Sequence, residues 1–166
     1  MLQRTTIGIA AALLLSAGIT SASAEPMKEV DVYKGNVGKF SCDGKENGSG
    51  KMFKATVETT VEFDGHTYVE RYTEMKSADH PNPWSSVFLM SYDPDSGKWV
   101  RNGVDNSGAR NAASSTGWNG NTWIWENDAV NIVVEKQGKK GFTFAVDVKQ
   151  SEGGVKRVAE AMCKRI

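Results

Sequence analysis

Asp105-Asn106-Ser107-Gly108-Ala109-Arg110-Asn111-Ala112-Ala113-Ser114-Ser115-Thr116-Gly117-Trp118-Asn119-Gly120-Asn121-Thr122-Trp123-Ile124-Trp125-Glu126 is the stretch that decides the class of this chain. It carries three of the five tryptophans. Asn119 and Gly120 both take positive φ at little cost, as a two-residue type I′ turn requires. That turn predicts a hairpin in which Trp118 faces Asn121, Thr116 faces Trp123 and Ser114 faces Trp125. One face would hold Trp118, Trp123 and Trp125 with small hydroxyl residues opposite. The other would hold Ala113, Ser115, Ile124 and Glu126. A β protein with an aromatic-rich wall follows.

Alternation continues outward from this hairpin. Phe53, Ala55, Val57, Thr59, Val61 and Phe63 share one side of a segment whose other side carries Lys54, Thr56, Glu58, Thr60 and Glu62. That is the period of a half-buried strand. Asp64-Gly65 is a second two-residue turn signal. Its register pairs Phe63 with His66, Val61 with Tyr68, Thr59 with Glu70, Val57 with Tyr72 and Ala55 with Glu74. Paired residues share a face, so Glu70 and Glu74 are sent to the apolar side with Tyr68 and Tyr72. A buried carboxylate is costly unless paired, and Arg101, on a following hairpin, is a candidate partner of Glu70 if its face agrees. A bulge in the turn, or a place at a wet rim, stays open as the alternative.

The remaining chain reads as strands between turns. The first strand is expected at Lys39–Asp43, followed by a loop to Gly50. Ser77–Pro83 is a proline-stiffened break, and Trp84, Ser86, Phe88, Met90 and Tyr92 share one side of the next strand. Further strands are expected at Lys98–Val104, Ala129–Gln137 and Phe142–Gln150, the last two joined by a turn over Gly138–Gly141. Phe142, Phe144, Val146 and Val148 alternate with polar residues. Residues 154–165 contain helix formers, yet Val155, Arg157, Ala159, Ala161 and Cys163 also alternate, and strand continues the meander. The fold class expected is all-β, a single closed antiparallel up-and-down barrel of about ten strands. Closure removes the edges that invite aggregation.

Residues 1–24 read as an export signal, with Arg4, an apolar run from Ile7 to Leu15, and Ala22-Ser23-Ala24 before Glu25. The run is short of the roughly 20 apolar residues that a span needs. The organisation expected is a signal peptide over 1–24, a tail or short helical turn over 25–37, and a β-barrel domain over 38–166. Cleavage after Ala24 would deliver a periplasmic or secreted protein. Of 20 Lys+Arg, removal of Arg4 leaves 19 against 20 Asp+Glu, a net charge of −1. No basic excess points to nucleic acid, and no later apolar run is of membrane-spanning length. Cys42 and Cys163 are the two cysteines, and an oxidising compartment makes pairing the default. In a closed meander the first and last strands are neighbours, so the bridge would sit on that seam.

The chain resembles the uncharacterised bacterial domain-of-unknown-function family numbered 1579 and, more loosely, the calycin superfamily of lipocalin-like barrels. The resemblance rests on Phe40-Ser41-Cys42-Asp43-Gly44, on Tyr92-Asp93-Pro94-Asp95-Ser96-Gly97-Lys98-Trp99, on Asp105-Asn106-Ser107-Gly108, on Ser115 to Trp125, and on Cys163-Lys164-Arg165. It implies a calycin-like barrel of about this strand count and brings no catalytic residues with it.

Chemical motifs are few. His66 and His80 are the only histidines and have no metal-site spacing. No nucleophile elbow or phosphate-binding glycine loop is present, and no cofactor is implied. The candidate ligand-binding residues are Glu70, Tyr68, Tyr72, Trp118, Trp123, Trp125 and Arg101. They suit a small, partly apolar ligand, although tryptophans also simply fill small barrels. An envelope protein acting on a protein partner or as an inhibitor through its loops is the alternative. A hydrolase or isomerase using Glu70 is the third reading, and a non-enzymatic role is favoured. N-terminal sequencing of the chain exported by a bacterial host should begin at Glu25. A product that keeps its apolar leader in the membrane fraction would contradict this.

Overall fold

The computed structural model describes residues 28–136 and 140–166, so the expected export signal and the first half of the Gly138–Gly141 turn lie outside the described residues. A 3₁₀ helix spans Lys28–Asn36, within the stretch expected to be a tail or short helical turn. Eleven strands follow: β1 Gly38–Glu46, β2 Met52–Glu62, β3 Thr67–Glu74, β4 Ser85–Asp93, β5 Lys98–Asp105, β6 Arg110–Ser115, β7 Trp118–Asn119, β8 Thr122–Glu126, β9 Val130–Lys136, β10 Gly141–Lys149 and β11 Val155–Arg165. They form one antiparallel sheet in the order β6-β5-β4-β3-β2-β1-β11-β10-β9-β8-β7, and a β6–β8 pairing closes it. Ten strands make the wall of an up-and-down barrel, and the two-residue β7 is an added strand on β8. Among the described residues no helix is long and apolar enough to cross a membrane.

The expected β2–β3 register is the one observed, with Val61 opposite Tyr68, Thr59 opposite Glu70, Val57 opposite Tyr72 and Ala55 opposite Glu74. The ladder ends at Glu62–Thr67, one pair short of the expected Phe63–His66, because Phe63 at φ 52° joins Asp64 at φ 54°, ψ 32° and Gly65 at φ 93° in the left-handed turn. The inward face nevertheless ends at Thr59. Val61 is 38% and Phe63 71% exposed, because this hairpin projects past the end of the barrel. The seam is also as expected. β1 and β11 pair, Cys42 stands opposite Cys163, and the two form a disulfide across 121 residues of chain. Closing so long a loop contributes about 4–5 kcal/mol in the chain-entropy account.

Three local expectations are corrected. β1 runs on to Glu46, so the loop expected from Asp43 is shorter. The tryptophan hairpin turns at Gly120-Asn121, with Trp118 opposite Trp123 and Asn119 opposite Thr122. Gly120, at φ 60°, takes the first central position, where glycine suits a type II′ turn. The chain also breaks at Gly117, φ 92°, between β6 and β7. The facing of β6 is therefore set by β5, and Ser115 and Ala113 pack toward the interior instead of sharing a face with exposed Ile124. Finally, 155–165 is a strand, but its pairing with β10 shifts between Val146 and Asp147. Val158 is the extra residue, and the bulge turns Arg157 away from the Ala159 face to meet Asp147 at 2.9 Å.

One half of the interior is filled. The 3₁₀ helix lies across the end of the barrel near the β2–β3 turn and inserts Tyr33. Its ring lies 5.1–6.4 Å from those of Tyr68, Trp99, Trp123 and Trp125, within the span of favourable aromatic pairs. The helix is held by polar groups of the wall. The Tyr68 hydroxyl donates to the Val30 carbonyl at 2.6 Å, Trp118 Nε1 donates to the Val32 carbonyl, and Arg165 donates to the carbonyls of Gly35 and Val37. Tyr33→Ala should remove about 3–5 kcal/mol, the usual loss for a large aromatic cut from a core. Urea unfolding monitored by tryptophan fluorescence measures it, and a loss below about 1 kcal/mol would mean that the helix is not an integral plug.

Candidate functional site

The other half of the barrel is hollow. A cavity of about 290 Å³ occupies it, with walls of Val57, Ile132, Val134, Phe142 and Phe144. These are inward positions of β2, β9 and β10, which the alternation delivers two residues apart. Its floor is formed by Glu70, Arg101, Phe88 and Trp125, and its rim by Glu46, Glu74, Tyr72 and Trp84. Along β3 the step from Tyr68 to Glu70, Tyr72 and Glu74 runs from plug to rim. Glu70 and Glu74 are thus about 13 Å apart at the backbone, four residues at the strand rise.

Glu70 is paired where the strand geometry puts it. Arg101 Nη2 donates to Glu70 Oε1 at 2.6 Å, with the two side chains 7% and 15% exposed. The guanidinium also lies over the Phe88 ring, 3.6 Å from its centroid, a cation–π contact in a desolvated place. Gly103 stands opposite Phe88, and a Cβ there would run into the Val87 carbonyl oxygen and come within 2.5 Å of the Phe88 ring, so the bare glycine makes room for both. Arg101 Nε is buried without an acceptor. Burial, then the nearby negative charge of Glu70, pushes the Tyr33 hydroxyl well above its ordinary range, so the plug meets this floor as a neutral phenol.

The rim is tied together by hydrogen bonds. Glu74 accepts from the Tyr72 hydroxyl at 3.0 Å and from the Trp84 backbone N–H at 2.9 Å. Burial, then the Glu74 charge, pushes the Tyr72 hydroxyl far above its usual value, which keeps it a donor to that carboxylate. The loop from Met75 to Trp84 folds over this edge. His80 packs its ring against Phe53, centroids 5.9 Å apart, with Nε2 3.4 Å from Glu46 Oε1 and Nδ1 3.9 Å from Glu74 Oε2. The first contact is an ion-pair distance without hydrogen-bond alignment, and Nε2 has no partner. Asn106 holds the loop from the next turn through Pro83 and Ser85. Among the described residues no three His, Cys, Asp or Glu side chains converge as metal ligands.

Of the residues singled out from sequence, Glu70, Tyr72, Arg101 and Trp125 line the cavity. Tyr68 and Trp123 are fully buried in the packed half around Tyr33, and Trp118 braces the helix. Tyr33, Phe88, Glu46 and Trp84 were not legible as site residues. Tyr33 lies in an unpatterned segment, and the others gain their place from neighbours far away in sequence.

No protein-family model matches the chain, and no curated protein matches it in sequence. Its fold is similar to that of Rv2717c from M. tuberculosis, at a TM-score of 0.63 and 10% identity, over 86% of this chain and 99% of that one. It is also similar to a de novo designed fluorescence-activating β-barrel, at a TM-score of 0.45 and 15% identity, over 82% and 98% of the two chains. At such identities the likeness to Rv2717c carries the barrel fold and nothing about activity.

The buried pair yields a direct test. Arg101→Met leaves Glu70 without its partner and should cost about 3–5 kcal/mol, whereas replacing both residues with apolar ones should restore much of that loss. Equal losses in single and double variants, measured by urea unfolding, would show that the two side chains do not act as a pair.

Proposed function

We propose that this protein is an exported, non-enzymatic barrel of the family-1579, calycin-like kind that binds a small, partly apolar molecule in its hollow half. The observation that carries the reading is the contrast between the two halves. Around Tyr33 the interior is filled by aromatic rings, as small barrels usually are. Above the Arg101–Glu70 pair, apolar walls enclose about 290 Å³ with a few placed polar groups. An apolar concavity with sparse polar groups is the common form of a small-molecule site. The order of motifs over residues 38–165 supports the family, and the disulfide supports export. Glu70 is engaged by Arg101 at 2.6 Å, which supports a structural part for that carboxylate.

The volume lies at the lower end of the roughly 300–1,000 Å³ typical of small-molecule sites, which suits a ligand of modest size. Octan-1-ol is a suitable probe. Titration calorimetry should show saturable one-to-one binding to the native protein. Ile132→Trp, which fills the cavity from β9, should weaken that binding at least tenfold while the protein still unfolds cooperatively in urea. Absence of saturable binding, or binding that Ile132→Trp leaves unaltered, would overturn the proposal.

A further inference from the structure

We infer that the ligand of this cavity carries a cationic amine or ammonium group, which sits at the rim on the cavity side of Glu74 and Glu46 while its apolar body fills the space below. The inference rests on the ligand-binding reading above and names the chemical class of the ligand. The first argument is charge. Three carboxylates, Glu46, Glu70 and Glu74, line the cavity against one guanidinium, that of Arg101. Arg101 is already neutralised by Glu70 at 2.6 Å. The floor is therefore balanced in charge, and the uncompensated charge stands at the rim.

The Ser49 hydroxyl donates to Glu46 Oε2 at 2.5 Å but carries no charge, and among the described residues His80 is the titratable group that faces both rim carboxylates. A neutral imidazole has one N–H donor and one acceptor, so it serves at most one of the two carboxylates it faces. A protonated one brings a single positive charge to two negative ones. A deficit remains in either state. Lys149, which donates to the Asn127 carbonyl at 2.6 Å, has its own carboxylate in Glu126 at 4.0 Å.

The second argument is the chemistry beside the carboxylates. Trp84 and Tyr72 lie with ring centroids 5.1 Å apart, and both line the cavity. Aromatic faces next to carboxylates are the setting that holds ammonium groups, through cation–π attraction together with charge. The Glu74 carboxylate is fixed there by the Tyr72 hydroxyl and the Trp84 N–H. It is thus a preorganised acceptor and not a mobile surface group. A carboxylate ligand would meet the opposite situation. It would pass two negative charges at the entrance and reach a guanidinium whose charge Glu70 already balances, with its buried Nε N–H left to offer. The separation of about 13 Å between rim and floor along β3 accommodates an extended chain of about eight carbons.

The test compares octylammonium, octan-1-ol and octanoate by titration calorimetry on the full mature chain with its disulfide intact. Octylammonium should bind at least tenfold more tightly than octan-1-ol, and octanoate more weakly than either. Raising the salt from 10 mM to 0.5 M should reduce the preference for octylammonium over octan-1-ol, since rim charges are screened. In the Glu46→Gln/Glu74→Gln variant the ratio of the two affinities should fall toward one. Glu46→Gln alone, at the more exposed position, should give a partial loss even if the double variant folds poorly. Octan-1-ol binding with no preference for octylammonium, or a preference that survives both glutamines, would overturn this inference and leave the cavity reading standing. Octanoate binding as tightly as octylammonium would overturn it too. Failure of all three probes to bind would overturn both.

Discussion

The carboxylate of Glu70 enters the barrel because strand geometry leaves it nowhere else to go. Phe53 to Thr59 fixes the inward face of β2, the Asp64-Gly65 turn fixes the register, and every second residue of β3 must then point inward. A lone carboxylate there would be costly. Arg101 answers it from β5, and the guanidinium in turn needs an apolar surface to lie on, which Phe88 supplies over Gly103. The pair marks the level at which the barrel changes character. Below it Tyr33 completes a packed aromatic core, and above it the walls are aliphatic and stand apart.

This arrangement separates the packed part of the barrel from the hollow part. The disulfide, the β1–β11 seam and the Tyr33 cluster hold one end and the long join of the sheet. The opposite end can then keep an unfilled interior, which costs packing contacts. The thinnest join of the wall is at β6–β8, where Ser114 and Glu126 are the only paired residues. It lies where the chain breaks at Gly117, and Trp118 ties that region back to the plug through the Val32 carbonyl.

Much of this was legible in the sequence, for physical reasons. The β2–β3 register, the inward Glu70 and the seam disulfide follow from alternation, turn length and the topology of a closed meander, whereas Arg101 is there a candidate partner whose facing the β4–β5 register decides. What was not legible depends on local backbone choices or on sums over many side chains. Asn119-Gly120 looks like a type I′ turn, yet Gly120 serves as the first residue of a turn one step later, and the Gly117 break frees β6 from the tryptophan hairpin. The bulge at Val158 leaves no mark in a pattern where Val155, Arg157 and Ala159 already alternate. The 3₁₀ plug has too few apolar residues to show a period, although Val30 and Tyr33 are both fully packed. Whether a barrel is hollow is a difference between two large volumes, and no short motif encodes it.

The central claim is that the barrel is packed below the Arg101–Glu70 pair and hollow above it. A crystal under xenon pressure tests this most directly, because xenon enters dry apolar cavities and is excluded from close-packed interiors. The account predicts xenon density between Val57, Ile132, Val134 and Phe144, and none around Tyr33 and Trp123. Density beside Tyr33, or an upper half collapsed onto itself with no xenon in it, would contradict the account.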